Sequence, residues 1–545
     1  MAQRLNPRWP EVALALALLS AWYGLATLPY LADFPLIDWA QPMIAAPAYQ
    51  LAEQGVYGSE MFTGFYRAEI RNYDHMPLYP LFLSAAFKGA GLGVWQARWV
   101  SVMAGWVTLA LTFRLGRQMY GPEVGLLAAA ALCMAQLARP NFEEVLRLGY
   151  QLTQSGIPLL DFARVIRFDV MVPLWVTAAG LCFHRAAAGA RQRDYFLAGV
   201  FSGLATLTHL YGAFIVPVFT VTLIWHEGWR VLRRPAPYLI LTGWALALMP
   251  YVLYVLQDWP AYRGQMLRHE GRFDLLSLAF YRDSLLHEPW RYLAWLGGSF
   301  RHPVLWPRVS FWLMILGVPL AIALFWRRLR QRPSLADRLM VIALPGLAGQ
   351  LALLVNLKRY PYTALLLPFL ALPLSFVIVT LWRAARRWGR WLIALILAAA
   401  LVEGALGIWG SWQMARQTTP YARLTQALRG LIPSGARVLG SHVAWFALTD
   451  YEFRSANLAF ILADRRYGFE PVPSLEQVVQ RIDPDYIVME QRLLKKYLDP
   501  ASLPGDSMVN LLRAFDEYLQ RHCRAVTVIA APDYGDIGIY HCARE

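Results

Sequence analysis

Three groups of residues have the types and spacing to do chemistry. The first is Asp38, in the polar stretch that follows the first apolar run. It opens a helix-like segment, Trp39–Gln54, that stops at Gly55, and with Gln41 three residues on it fits a capping box. A carboxylate placed there can also take the proton from a hydroxyl, because dry surroundings and alignment raise its basicity to a useful level. The second group is Asp161-Phe162-Ala163-Arg164-Val165-Ile166-Arg167-Phe168-Asp169. Spacing puts Arg164 and Arg167 on one helix face, and Asp169 stands where an apolar run resumes, a position that suits an N-cap. Paired guanidinium forks can receive the charge that grows on a departing phosphate, a leaving group that needs no proton from an acid. Arginines that snorkel to headgroups account for the same pattern. The third group is Lys358-Arg359-Tyr360-Pro361-Tyr362, a very short basic loop. His75, His209, His269 and His287 stand singly and read as hydrogen-bonded residues at an interface. The pairs His269-Glu270 and His287-Glu288 are too local to specify a metal site.

The elements that must position these groups are membrane spans. Of the 545 residues, 57% are hydrophobic and only 16% are charged, and the mean hydropathy is +0.36. A soluble chain carries nearer a quarter charged residues. The 22 Trp and 27 Tyr suit aromatic belts at the two bilayer surfaces. A net charge of +15 raises the question of nucleic acid, but the basic residues form short clusters between apolar runs. That is the positive-inside pattern, so no nucleic-acid partner is expected. Apolar runs cover about 12–31, 96–117, 122–138, 168–187, 195–210, 211–228, 237–257, 308–326, 338–356, 361–382 and 390–412. The first lacks a small-residue cleavage motif and reads as a span, not a signal peptide. With about eleven spans, short arginine-rich loops alternate strictly with the longer mixed loops 32–95, 139–167, 257–307 and 413–545. The N-terminus is then cytoplasmic and the C-terminus outside. Counting Pro77–Val94 as a span would invert this order, so it reads as an amphipathic helix at the outer interface with Lys88 as its one charge.

Two domains are expected: a transmembrane domain over 1–416 and a soluble α/β domain over 417–545. In the second, Arg437–Gly440, Tyr486–Met489, Ala525–Ile529 and Ile537–Tyr540 read as short strands alternating with helical stretches. It has no Gly-rich phosphate loop and no metal-spaced Cys/His set, and reads as a lid or an acceptor-recognition module. Cys133 and Cys182 fall in apolar runs and read as inert core thiols. Cys523 and Cys542 flank a hairpin turn at Pro532-Asp533, equidistant from it, and can form a disulfide if this end lies in an oxidising compartment.

The ordered set of Asp38, then Asp74-His75-Met76-Pro77-Leu78-Tyr79-Pro80 with an interfacial helix, then Ala97-Arg98-Trp99, resembles the start of the polytopic glycosyltransferases of the C superfamily. Within it the likeness is to bacterial relatives of protein O-mannosyltransferases and of the lipid A aminoarabinose transferase. Arg167-Phe168-Asp169, the Arg359-Tyr360 before a Pro368-containing span, and the C-terminal α/β domain extend the likeness. The resemblance implies inverting transfer of a sugar from a polyprenyl-phosphate donor to a lipid or protein acceptor, at the outer face of a bacterial cytoplasmic (inner) membrane and among its lipids. It implies catalytic carboxylates at Asp38 and Asp169. It places Arg98, Lys88, Arg359 and Tyr360 at the carrier phosphate, and His75, Arg164, Arg167, His209 and Lys358 join that candidate group. The family often sets a second acidic residue beside the first, where a divalent metal can be bridged. Trp39 stands at that position here, and Met76 replaces the first proline of the usual His-Pro-Pro. Rival readings are an O-antigen ligase or polymerase and a lipid or sugar transporter. A transporter tends to show inverted repeats and charged or broken spans at the membrane midplane, and neither is evident here.

Overall fold

The computed structural model describes residues 9–138, 154–189, 191–269, 275–297, 308–331, 334–355, 360–492, 494 and 507–542. Every apolar run of the sequence is helical. Among the described residues nine helices are long and apolar enough to cross a membrane. The runs that fall short of that length form the helices Pro122–Met134 and Gln192–Thr208. The chain is a multi-pass membrane protein with a small mixed sheet at its C-terminal end.

Helix α1 (Trp9–Thr27) leads into a long polar excursion that carries α2 (Ala40–Gln54) and α3 (Leu78–Ala90) before α4 (Val94–Tyr120) and α5 (Pro122–Met134). α2 ends where Gly55 takes the left-handed conformation, φ 72°, that terminates helices at low cost. α3 buries Tyr79, Leu83 and Phe87, spaced one turn apart, and exposes Leu81, Phe82 and Lys88. It is the amphipathic helix that the loop alternation demands. The helices Gln192–Thr208 and Pro235–Leu256 cross so closely that a Cβ on Gly199 would lie 2.0 Å from the Ile240 carbonyl oxygen, and one on Gly243 would lie 2.3 Å from that of Phe196. Small residues let backbones meet where there is little hydrophobic drive between helices.

Charge separates the two ends of the bundle. At one end Arg383 pairs with Glu123 at 2.6 Å and Arg234 with Glu227 at 2.7 Å at the surface, and the half-exposed Arg328 meets the buried Asp337 at 2.9 Å. The other end gathers the first loop, the segment 154–170, the turn at His209 and the C-terminal sheet.

The last long helix, Arg387–Gln417, hands over to a mixed sheet of order β2-β1-β3-β5-β4. Its strands are β1 (Arg437–Gly440), β2 (Glu452–Ser455), β3 (Tyr486–Glu490), β4 (Cys523–Ile529) and β5 (Ile537–Cys542). β1 pairs parallel with β2 and β3, while β5 runs antiparallel to β3 and β4. β2 escapes sequence reading because Glu-Phe-Arg-Ser is a short, charged edge strand without an apolar run. Cys523 faces Cys542 in the β4–β5 register, and a disulfide joins them.

The sheet is docked on the helical part. The turn His442–Ala447 is buried along its whole length, with Trp445 edge-on to Tyr49 of α2 and Tyr421 bonded through its amide to Asp33.

Candidate functional site

Asp38 lies just before α2 and is 7% exposed. Its Oδ1 accepts the amides of Ala40 and Gln41, at 3.1 and 3.0 Å. Oδ2 has no hydrogen bond with the described residues. One oxygen therefore fixes the carboxylate and the other remains open. The capping box is only half formed, because the Gln41 side chain turns elsewhere. Its amide nitrogen donates to the Leu36 carbonyl, and its oxygen accepts from Arg98 Nε at 3.1 Å and from the Ile166 amide at 3.3 Å. Gln41 thus ties the start of α2 to α4 and to the second acidic segment.

Arg98 is fully buried. Besides Gln41 it donates to the carbonyls of Leu31, at 2.9 Å, and Pro35, at 2.5 Å. Arg164 does similar work, donating to Ser411 Oγ at 2.7 Å and to the carbonyls of Pro29 and Phe34. Burial, with Arg98 nearby, lowers the Arg164 pKa to about 10. These two cations brace the first loop from beneath, which differs from the phosphate-facing role expected for them.

Arg164 and Arg167 do not share a helix face. The helix Pro158–Ala163 stops at Ala163, and Arg167 adopts extended backbone, φ −148° and ψ 131°. The buried Ile166, bonded through its amide to Gln41, pulls the chain out of the helix and sends the two arginines apart. Asp161, near this helix's start, accepts the Ser155 amide and hydroxyl and the Gly156 amide, while burial pushes its carboxyl up to about 7.

Asp169 is not an N-cap either. It is fully buried, accepts Tyr211 Oη at 2.7 Å on one oxygen, and holds Arg167 Nε at 3.3 Å on the other. Tyr211 reaches it because the turn after the helix Gln192–Thr208 folds back tightly. A Cβ on Gly212 would lie 2.3 Å from the Ala205 backbone. The break at His209-Leu210-Tyr211-Gly212, visible in sequence as a soft boundary between apolar runs, is the signal that could have found Tyr211. Tyr79 of α3 bonds Ser101 at 2.6 Å and meets the Arg167 backbone.

A wall of rings stands beside this cluster. Phe168 packs on His75 and His209, His209 stacks on Tyr211 at 4.0 Å, and Tyr362 meets both His209 and Tyr211. His75 Nδ1 lies 3.2 Å from Asp74. Asp74 also meets Arg268 and His269, at 3.3 and 3.1 Å. Burial alone would raise the Asp74 carboxyl, but Arg268, His75 and His269 hold it well below the usual carboxylate range. Tyr360 packs against Phe162 at 5.0 Å, within electrostatic reach of Asp161 and of the buried Arg308, a cation the sequence reading did not single out. Lys88 is exposed in the last turn of α3 and makes no hydrogen bond or ion pair with the described residues. Lys358 and Arg359 lie outside the described residues.

An apolar cavity of about 280 Å³ lies between four of the helices, α5, Val309–Gln331, Leu367–Ala384 and Arg387–Gln417, and is lined by Leu127, Met134, Leu313, Leu374, Leu397 and Leu401. A smaller neighbour shares Ala131 and Leu374 with it and reaches Pro158 and Leu367, where the helix bearing Asp161 and the Tyr360 segment end. As for a divalent metal, no group of three or more His, Cys, Asp and Glu among the described residues is placed to hold one. Asp38 has Trp39 where a second carboxylate would be needed, and Asp169 has both oxygens engaged. These residues do not fit a metal, and no step below uses one.

The profile of the dolichyl-phosphate-mannose-protein mannosyltransferase family matches residues 136–254. No curated protein sequence matches. Among solved structures, ArnT from Cupriavidus metallidurans bound to undecaprenyl phosphate superposes with a TM-score of 0.59 at 13% identity, over 97% of each chain. The Archaeoglobus fulgidus oligosaccharyltransferase tethered with an acceptor peptide gives 0.55 at 12% identity, over 98% of this chain and 74% of its own. The archaeal oligosaccharyltransferase AglB of the same organism, in complex with an inhibitory peptide and a dolichol-phosphate, gives 0.54 at 12%, again over 98% and 74%. This chain therefore shares its fold with ArnT and with the archaeal oligosaccharyltransferase.

Proposed function

We propose that this protein transfers a sugar, with inversion, from a polyprenyl-phosphate carrier to a hydroxyl-bearing lipid or protein acceptor at the outer face of a bacterial cytoplasmic membrane. The observation that carries the reading is Asp38: a buried carboxylate with one oxygen pinned by two amides and the other open. Asp38 Oδ2 takes the proton of the acceptor hydroxyl. That oxygen attacks the anomeric carbon from the side opposite the phosphate and forms the new glycosidic bond. The bond from the anomeric carbon to the phosphate oxygen breaks, and its electron pair leaves with the polyprenyl phosphate. The departing dianion needs cations, not an acid. We assign that role to Arg167, a buried cation held by Asp169. Asp169 accordingly orients Arg167 and does not touch the sugar, while the cavity beneath Pro158 and Leu367 accepts the isoprenoid chain.

The test is Asp38→Asn, which preserves shape and the amide contacts but removes the base. With purified protein in nanodiscs and a panel of undecaprenyl-phosphate sugars, turnover is expected to fall by about 10²–10⁴-fold. Turnover within a few-fold of wild type would refute the assignment.

A further inference from the structure

The start of α2 is gripped from the C-terminal sheet as well as from the membrane side. His442 follows β1 by two residues, and Ser455 closes β2, so both stand at the carboxyl ends of parallel strands. In open sheets that edge is where ligands are bound. Here the backbone of the first loop occupies it. His442 Nδ1 lies 2.8 Å from the carbonyl oxygen of Trp39, the residue next to Asp38, and Nε2 lies 2.5 Å from Ser455 Oγ. A carbonyl can only accept, so Nδ1 carries the proton and donates, and Nε2 accepts a hydrogen bond from the Ser455 hydroxyl. Ser455 Oγ in turn accepts the Asn457 amide at the start of the helix Ala456–Leu462. The ring is buried, edge-on to Phe62, whose other contact is the guanidinium of Arg268. Burial lowers the His442 pKa to about 4. The imidazole is therefore neutral in ordinary buffers, and its two hydrogen bonds have one possible sense.

We infer that His442 is a positioning residue: it carries the rigidity of the C-terminal sheet to the Trp39 carbonyl and so fixes the direction in which the open oxygen of Asp38 points. Asp38 is then clamped from two sides. Gln41, held by Arg98 and Ile166, fixes α2 from the membrane domain. His442 fixes it from the sheet. The inference deepens the transfer reading above and rests on it for its catalytic consequence, though not for the clamp itself.

The experiment uses the full chain in nanodiscs with two readouts: hydrogen exchange over residues 36–46, and steady-state transfer from the undecaprenyl-phosphate sugar that wild type accepts. His442→Ala is expected to raise exchange at the start of α2 and lower kcat by about 10- to 100-fold, leaving the donor KM within about two-fold, since an ångström of misplacement can cost that much. His442→Asn, whose side-chain amide can donate to the same carbonyl, is expected to recover most of both. Should His442→Ala fail to fold, Ser455→Ala leaves the ring in place but unlocks it, and is expected to show both effects in smaller measure. Unchanged exchange and unchanged kcat in the variant that folds would overturn the inference. So would a loss that His442→Asn does not relieve. Raised exchange in a protein whose wild type transfers no sugar would leave the clamp standing and overturn the transfer reading instead.

Discussion

Arginine does different work at the two ends of this molecule. At the end away from the site, Arg383 and Arg234 leave 60% and 65% of their side chains in solvent and meet Glu123 and Glu227 across single contacts. At the site end, Arg98, Arg164 and Arg167 are buried, and what they hold is chiefly backbone and polar side chain: three acceptors for Arg98, three for Arg164, and Asp169 for Arg167. An exposed pair gains little, because water screens it and two long side chains must be ordered. A buried guanidinium is costly to desolvate, and is retained only where several acceptors satisfy its donors. Arg98, Arg164 and Arg167 each have an individual task.

Three substitutions sharpen that contrast, taken from the largest effect down. Arg98→Ala strands the carbonyls of Leu31 and Pro35 and leaves the Gln41 oxygen with the Ile166 amide alone. At about 1–3 kcal/mol for each buried acceptor left unpaired, the loss reaches several kcal/mol and appears as a large drop in the thermal midpoint of the nanodisc-embedded protein. A midpoint equal to wild type would mean that Arg98 braces nothing. Asp169→Asn keeps the acceptor for Tyr211 but removes the charge that aims Arg167. A hydrogen bond to a charged group contributes about 1.5–3 kcal/mol, so kcat/KM for the donor should fall roughly ten-fold or more, chiefly through kcat, while the midpoint moves little. If kcat/KM stayed at the wild-type value, Asp169 would not aim Arg167 at the leaving phosphate. Arg383→Ala, at the opposite end, should change stability by no more than about 1 kcal/mol and leave transfer unaltered. A large effect there would erase the distinction between the two ends.

The same contrast marks how far the chain could be read before folding. The helical spans follow from apolar length alone, and the short helix at Leu78–Ala90 is set apart from them by the alternation of basic and mixed loops, which one extra crossing would break. Asp38 stands out because a carboxylate before a helix start is a recognisable local pattern. The divided fate of Arg164 and Arg167 does not, because it depends on Ile166 finding Gln41 from a segment far away in sequence. Nor does the grip of His442, which lies some four hundred residues beyond Trp39 and reads along the chain as one more isolated histidine.

Sequence by itself determined the membrane character, the spans, the small α/β end and the acidic and basic residues worth testing, because burial in lipid and helix capping are written in local composition and spacing. Only the tertiary structure decided which of those charges are braces, which one keeps an open oxygen, and which aims another. Those assignments depend on where each lone pair and each N–H finds its partner, and at this site the partners come from separate stretches of the chain.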